Sequence, residues 1–346
     1  MSADGQFVSK IAPLVGNQYC GRKVLVAGGN GFLGANCVEA LLALGAKVSI
    51  ITRKISTPRH GCLSVFDGDA RNPTLLRAAV ERQEFVFDFL GGPAAVASNQ
   101  SPLTSLEGEL WAHLALFEAC ANAPSSPVVM FCSSRLVYGK PEYLPVDESH
   151  PLRPQSFYAI NKIAAEQYLE LFAKSKELRY CVLRVSNPYG PNQPNETKGY
   201  GIINSFLSAA ANGKEIVVYG DGGQMRDYVH VSDVMIAFLS SAVNKSCYGR
   251  IYNFGGHTVA RLRDVVSLIA ELAGGTPVRF EPWPSDYRSV ETGDYASDQG
   301  RISSTLNLPP QVSQRDGFAS TLLAYRLRVQ HAGATPRGNY TQAVML

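Results

Sequence analysis

The sequence predicts a doubly wound parallel α/β sheet with a smaller α/β lobe toward the C-terminus. Three features carry this expectation. Short β-branched runs alternate with helical patterns through the first 185 residues, a glycine-rich turn follows the first run, and the texture changes after Asn187. Strands that alternate with helices form a parallel sheet covered on both faces.

The elements follow in order. Lys23 to Ala27 reads as a strand and Phe32 to Leu44 as a helix, with the next strand at Lys47 to Thr52. Phe85 to Leu90, Val128 to Cys132 and Tyr180 to Val185 continue the strand series. Glu107 to Ala121 and Tyr158 to Lys176 are the longer helical stretches between them. Beyond Asn187, Pro-, Gly- and Asn-rich loops precede the segment IVVYGDGGQMRDYVHVSD. The expected division is an N-terminal extension (1–20) without clear periodicity, a dinucleotide-binding domain (21–186), a mainly substrate-binding lobe (187–330) whose chain interleaves with it, and a loose polar tail (331–346). Substrate is expected in the cleft between the lobes, beyond the C-terminal ends of the strands.

Composition narrows the function. The 346 residues contain 45% hydrophobic and 18% charged side chains, ordinary for a globular enzyme. A formal net charge of +3 without blocks of like charge disfavours nucleic-acid binding, which needs clustered Lys and Arg. No apolar run approaches the ~20 residues of a membrane span, and the N-terminus lacks the apolar core of a signal peptide. Seven scattered cysteines without a C-x-x-C read as free thiols, so neither disulfides nor a structural metal are expected, and the location is cytoplasmic.

In VLVAGGNGFLG, Gly28, Gly31 and Gly34 stand at G-x-x-G-x-x-G spacing between a strand and a helix. The first permits a tight turn, the second lets backbone approach a pyrophosphate, and the third lets helix and strand pack closely. The helix N-terminus then offers free N–H groups to the phosphates. This is the signature of a Rossmann dinucleotide site; a glycine turn without a ligand is the bland alternative. The second strand ends in Thr52, Arg53 and Lys54, where an NAD site usually carries a carboxylate for the ribose 2′-hydroxyl. Two cations suit a 2′-phosphate, so NADP is favoured over NAD. Asp69, at the end of another strand, suits an adenine contact.

Tyr158 and Lys162 lie one helical turn apart and share a face. An isolated tyrosine is a poor base at neutral pH, but an adjacent ammonium and a nicotinamide cation favour its phenolate. Ser134 ends an upstream strand, where its hydroxyl can hold a substrate oxygen beside the tyrosine. Serine, tyrosine and lysine in this order after a Rossmann turn are far more specific than any one of them.

The motifs GGNGFLG, GDARNP, SSRLVYG, YAINK, NPYGP and YGDGGQMRDYVHVSDV together resemble the extended short-chain dehydrogenase/reductases that modify nucleotide-sugars, from about Lys23 to Pro309. The resemblance implies Ser134, Tyr158 and Lys162 as the catalytic triad, with Lys162 also on the nicotinamide ribose. It places Phe32, Leu33, Asp69, Ala70, Leu90 and Gly91 on the dinucleotide. It implies Asn187, Arg226 and Arg288 at the substrate diphosphate, Glu291 at the nucleoside ribose, and Tyr219 with backbone near Val217 at the base. Guanidinium forks suit diphosphate oxygens; an ion pair of Arg226 with Asp227 or Asp233 is the bland alternative. A UDP-sugar is the expected partner.

Family dehydratases resemble one another in placing Asp-Glu directly after the catalytic Ser or Thr, and decarboxylases place a Glu nearby. Here those positions hold Arg135 and Leu136, which disfavours 4,6-dehydration and decarboxylation. The expectation is 4-epimerisation through a transient 4-keto sugar, with Tyr158 as acid and base. An atypical 5,6-dehydratase, an NADPH-dependent ketosugar reductase and a non-catalytic NADP-binding protein remain as alternatives. Arg135 lies either at the sugar or out in solvent. Glu109 aligns with an asparagine that supports the lysine in the family. Tyr295 falls where related epimerases set sugar size, and favours unacetylated hexoses. Relatives pair two helices per subunit into a four-helix bundle, so a homodimer through 107–121 and 158–176 is expected.

Overall fold

Why the β-branched runs form buried strands is plain in the computed structural model, which describes residues 3–53, 63–91, 95–193 and 201–334. Strands β1 (Lys23–Ala27), β2 (Lys47–Thr52), β3 (Leu63–Asp67), β4 (Phe85–Asp88), β5 (Val128–Ser134) and β6 (Tyr180–Val185) join β10 (Arg250–Phe254) in one sheet. Its order is β10-β6-β5-β4-β1-β2-β3, and every pairing is parallel. Helices cover both faces, as parallel sheets require. On one face Val24, Val26, Ile50 and Met130 pack with Leu41, Ile236 and Phe238. On the other, Leu25, Val86, Val129 and Phe131 pack with Leu116, Phe117 and Leu169.

The C-terminal chain forms a third core around two small sheets. These are β7 (Asn187–Tyr189) with β9 (Met225–His230) and β11 (Val259–Arg261), and β8 (Ile216–Tyr219) with β12 (Val278–Glu281). Helices Ile202–Ala211, Leu262–Leu272 and Gln314–Ala334 close over them, burying Phe206, Leu207, Val266 and Phe318. Because β10 completes the large sheet after β7–β9 have formed part of the lobe, the two cores share one interleaved chain.

Three local expectations change. The first residues are not aperiodic. A helix runs Ala3–Val15, burying Ile11 and Val15, and the following Tyr19 hydroxyl donates to Leu239 O at 2.7 Å. Its apolar spacing (Phe7, Ile11, Leu14, Val15) was obscured by Pro13. The strand from Phe85 stops at Asp88, because the Asp88 carboxylate accepts from Leu90 N at 3.0 Å and turns the chain. The helix expected from Glu107 begins as a π-helical turn, Leu106–Trp111, and becomes α-helical over Ala112–Ala121. Such wide turns shift the register of every side chain that follows.

Candidate active site

Strand order reverses between β1 and β4, and the glycine turn lies at this switch point, where doubly wound sheets bind ligands. Gly28 has φ +78°, and a Cβ there would lie 2.5 Å from Phe89 O. A Cβ on Gly34 would lie 2.1 Å from Gly28 O. Both positions therefore exclude any side chain. Gly31 N donates to Gly28 O at 2.9 Å and begins the helix Phe32–Ala43 with no side-chain cap. An uncapped helix start behind a bare turn fits a pyrophosphate, so these residues suit a dinucleotide. Phe32 and Leu33 form its first turn, half-buried.

At the β2 end, Thr52 is buried and accepts from Asn30 Nδ2 at 2.7 Å, while Arg53 is exposed beyond it. Lys54 lies outside the described residues. Asp69 accepts from Arg71, whose guanidinium holds its carboxyl below the usual range, and Ala70 is buried beside it. Leu90 is half-buried and Gly91 exposed at the β4 end.

Ser134 and its neighbour Ser133 diverge, as strand alternation dictates. Ser133 donates to Glu166, itself bound by Arg184, inside the core. Ser134 Oγ accepts from Leu136 N at 3.2 Å at the head of a 3₁₀ turn, Arg135–Tyr138. The helix Phe157–Lys176 is capped by Ser156, whose hydroxyl accepts from Ala159 N, and this sets Tyr158 in its first turn. Lys162 Nζ lies 5.7 Å from the centre of the Tyr158 ring and donates to Cys132 O at 3.1 Å. Tyrosine, lysine and the last turn of β5 therefore meet.

The lysine's support is a residue that the sequence did not suggest. Lys162 Nζ lies 3.2 Å from His113 Nε2, and His113 Nδ1 lies 2.7 Å from Asp88 Oδ2. His113 and Asp88 are fully buried. Glu109, one turn earlier, instead accepts from Ser105 and Asn161. A histidine four residues beyond an expected position, on a helix opening with a π turn, gave little signal in one dimension.

In the lobe, Arg226 is buried on β9 and pairs with Glu291, not with Asp227 or Asp233. The two residues expected to hold diphosphate and ribose thus satisfy each other. Arg288 is exposed on the short helix Ser285–Ser289. Tyr219 on β8, beside half-buried Val217, clusters with Trp283 and Tyr287 at 6.1 and 5.5 Å between ring centres. Trp283 and Tyr287 were missed because they belong to no motif that marks a base site, although Tyr287 adjoins Arg288.

Arg135 is half-buried, its guanidinium held against the protein and not extended into solvent. Nε donates to Asn187 Oδ1 at 3.2 Å, Nη1 donates to Thr292 Oγ1 at 2.9 Å, and the guanidinium lies over the Tyr295 ring at 5.2 Å. Burial, then the nearby Arg226 charge, lowers its pKa to about 10. Tyr295 is fully enclosed with Val137, Tyr138 and Val146. The ring therefore leaves no exposed surface for a sugar, contrary to its expected place in the substrate pocket.

Sheet order and glycine turn together define a Rossmann-type dinucleotide-binding protein. The family model for the NAD dependent epimerase/dehydratase family matches residues 24–255, and the chain belongs to that family. A UDP-glucose 4-epimerase of Mycolicibacterium smegmatis is 27% identical, covering 89% of this chain and 100% of its own length. A dTDP-glucose 4,6-dehydratase of Streptomyces griseus is 27% identical over 87% of this chain and 93% of its own. The crystal structure of a UDP-glucose 4-epimerase with UDP-glucose from Thermotoga maritima superposes with a TM-score of 0.81 at 25% identity, over 89% and 99% of the two chains.

Proposed function

We propose that this enzyme inverts C4 of a nucleotide-diphosphate sugar, a UDP-hexose, with NADP favoured over NAD. The observation that carries the reading is the turn after Ser134. Neither of its first two side chains, Arg135 and Leu136, can deliver a proton to a leaving hydroxyl, and Arg135 is engaged by Asn187 and Thr292. Chemistry is then confined to what Ser134, Tyr158 and Lys162 supply.

Gly28, Gly31 and Gly34 would hold the dinucleotide phosphates, and Arg53 a 2′-phosphate. When bound, the cofactor supplies hydride removal and return at the sugar carbon. Tyr158 takes the proton of the 4-hydroxyl and later gives it back, while Ser134 holds the same oxygen. Lys162 keeps positive charge beside the phenol and so favours its ionised form. Arg226 and Arg288 would anchor the diphosphate; Arg226 must first exchange Glu291 for phosphate oxygens, and this frees Glu291 for the ribose. Tyr219, Trp283 and Tyr287 offer aromatic faces for the base.

Two further parts belong to this reading. Among the described residues no helix is long and apolar enough to cross a membrane, and a diphosphate substrate that cannot cross a bilayer favours the cytoplasm. A homodimer is supported by apolar side chains left exposed on the two expected helices, Trp111, Ile160 and Leu171, and by Leu103 and Phe157 shortly before them in the chain. Phe117 is buried in the core, and Tyr168 and Phe172 pack against it, so these side chains are satisfied within the subunit.

The test is product analysis by NMR with UDP-glucose and UDP-N-acetylglucosamine. Interconversion at C4 without net change in nicotinamide absorbance is expected, faster for the unacetylated sugar. Tyr158→Phe should lower kcat by about 10²–10⁴-fold. Stoichiometric oxidation of added NADPH would make it a reductase, and an unsaturated product a dehydratase.

A further inference from the structure

Arg135 stands one residue from Ser134 and, among the described residues, has no carboxylate within ion-pair distance. The two nearby acids are already engaged. Glu291 pairs with Arg226. Asp227 accepts from Ser186, Ser297 and Asn187. Among the described residues Arg135 has two neutral oxygens and an aromatic face, and no partner for Nη2. The residue is half-buried, so part of the guanidinium stays accessible to an incoming anion while the rest is held by protein. Its packing against Tyr295 and its two hydrogen bonds fix its orientation in advance, as a built anion site requires.

We propose that Arg135 is a specificity residue for a carboxylate on the sugar ring, which narrows the UDP-hexose of that reading to its C6-carboxylate form, a hexuronate bound in preference to the neutral sugar. The proposal rests on the nucleotide-sugar reading above and on Ser134 marking the reacting end. The diphosphate is the other available anion, but it has Arg226 and Arg288 to receive it. Arg135 is the cation joined to the strand end that carries Ser134. A carboxylate there would accept from the guanidinium through charge-assisted bonds.

Titration calorimetry of the intact chain with UDP, UDP-glucose and UDP-glucuronate decides the matter. UDP-glucuronate should bind at least about tenfold more tightly than UDP-glucose. Arg135→Met should erase that difference while leaving the affinity for UDP unchanged, and Arg135→Lys should restore part of it. Equal affinity of the unaltered protein for the two sugars overturns the proposal, and this comparison stands even if Arg135→Met fails to fold. A parallel loss of UDP affinity in Arg135→Met also overturns it, and assigns Arg135 to the diphosphate. Failure of all three ligands to bind overturns the nucleotide-sugar reading itself, and with it this one.

Discussion

Lys162 Nζ and His113 Nε2 lie 3.2 Å apart inside the core, and Asp88 decides which of them donates. The Asp88 carboxylate can accept but not donate, so His113 Nδ1 carries the proton towards it and Nε2 is left to accept from the ammonium. Asp88 also takes the backbone N–H of Leu90. One side chain at the end of β4 therefore orients both the loop expected at the cofactor and the lysine expected beside Tyr158.

His113 is thus a positioning residue. In His113→Phe the lysine should lose its orientation, and kcat should fall roughly ten- to a hundredfold. His113→Gln, whose amide oxygen can accept from the ammonium, should recover part of the loss. Thermal melting of both variants separates this from general destabilisation, since in His113→Phe the buried Asp88 keeps Leu90 N–H but loses the donor to its Oδ2. Wild-type kcat in His113→Phe would remove the histidine from the mechanism.

The proposed NADP preference rests on Arg53. Its exposed guanidinium at the end of β2 has a surface position from which it can meet a 2′-phosphate. Arg53→Asp should weaken NADP binding about ten- to a hundredfold and strengthen NAD binding, as measured by fluorescence titration. Equal affinity for both dinucleotides, unaltered in the variant, would refute the preference.

The exposed apolar stripe predicts a dimer. Trp111 is 60% exposed and Leu171 59%, on the two helices that flank the same face of the large sheet. Trp111→Glu should convert a dimer into a monomer in sedimentation velocity, with melting temperature little changed because the side chain packs against no core. A monomeric wild-type protein would refute the interface.

Acid stability should depend on His230. Burial, then the charge of Lys10, lowers its imidazole from about 6.5 to about 4. The folded protein therefore keeps it neutral while the unfolded chain takes up a proton first. Its contribution is fully present above pH ~6.5 and is lost as pH falls towards ~4, at most roughly 3 kcal/mol. His230 also caps the helix Val231–Val243 through Nδ1. His230→Asn retains a capping side chain without the titration. Its stability should fall less steeply than that of the wild type between pH 6.5 and 4 in urea unfolding; identical slopes would refute this.

Local spacing determined much of this protein. Gly28, Gly31 and Gly34 announced their turn because backbone sterics act within a few residues, and β1, β2, β4, β5 and β6 could be read from their own short apolar runs. Tyr158 and Lys162 were legible because one helical turn relates them, and Ser134 because it ends a strand. Tertiary structure decided the rest. Glu109 and His113 could not be ranked by alignment, since only the meeting of the π-turned helix with β4 brings Asp88 to His113. Arg226 and Glu291 are 65 residues apart and meet through the packing of the small lobe. Whether Arg135 faced solvent or the interior depended on where Asn187, Thr292 and Tyr295 converge. Hydrogen bonds and charges act through space at a few ångströms, so no pattern along the chain could specify those partners.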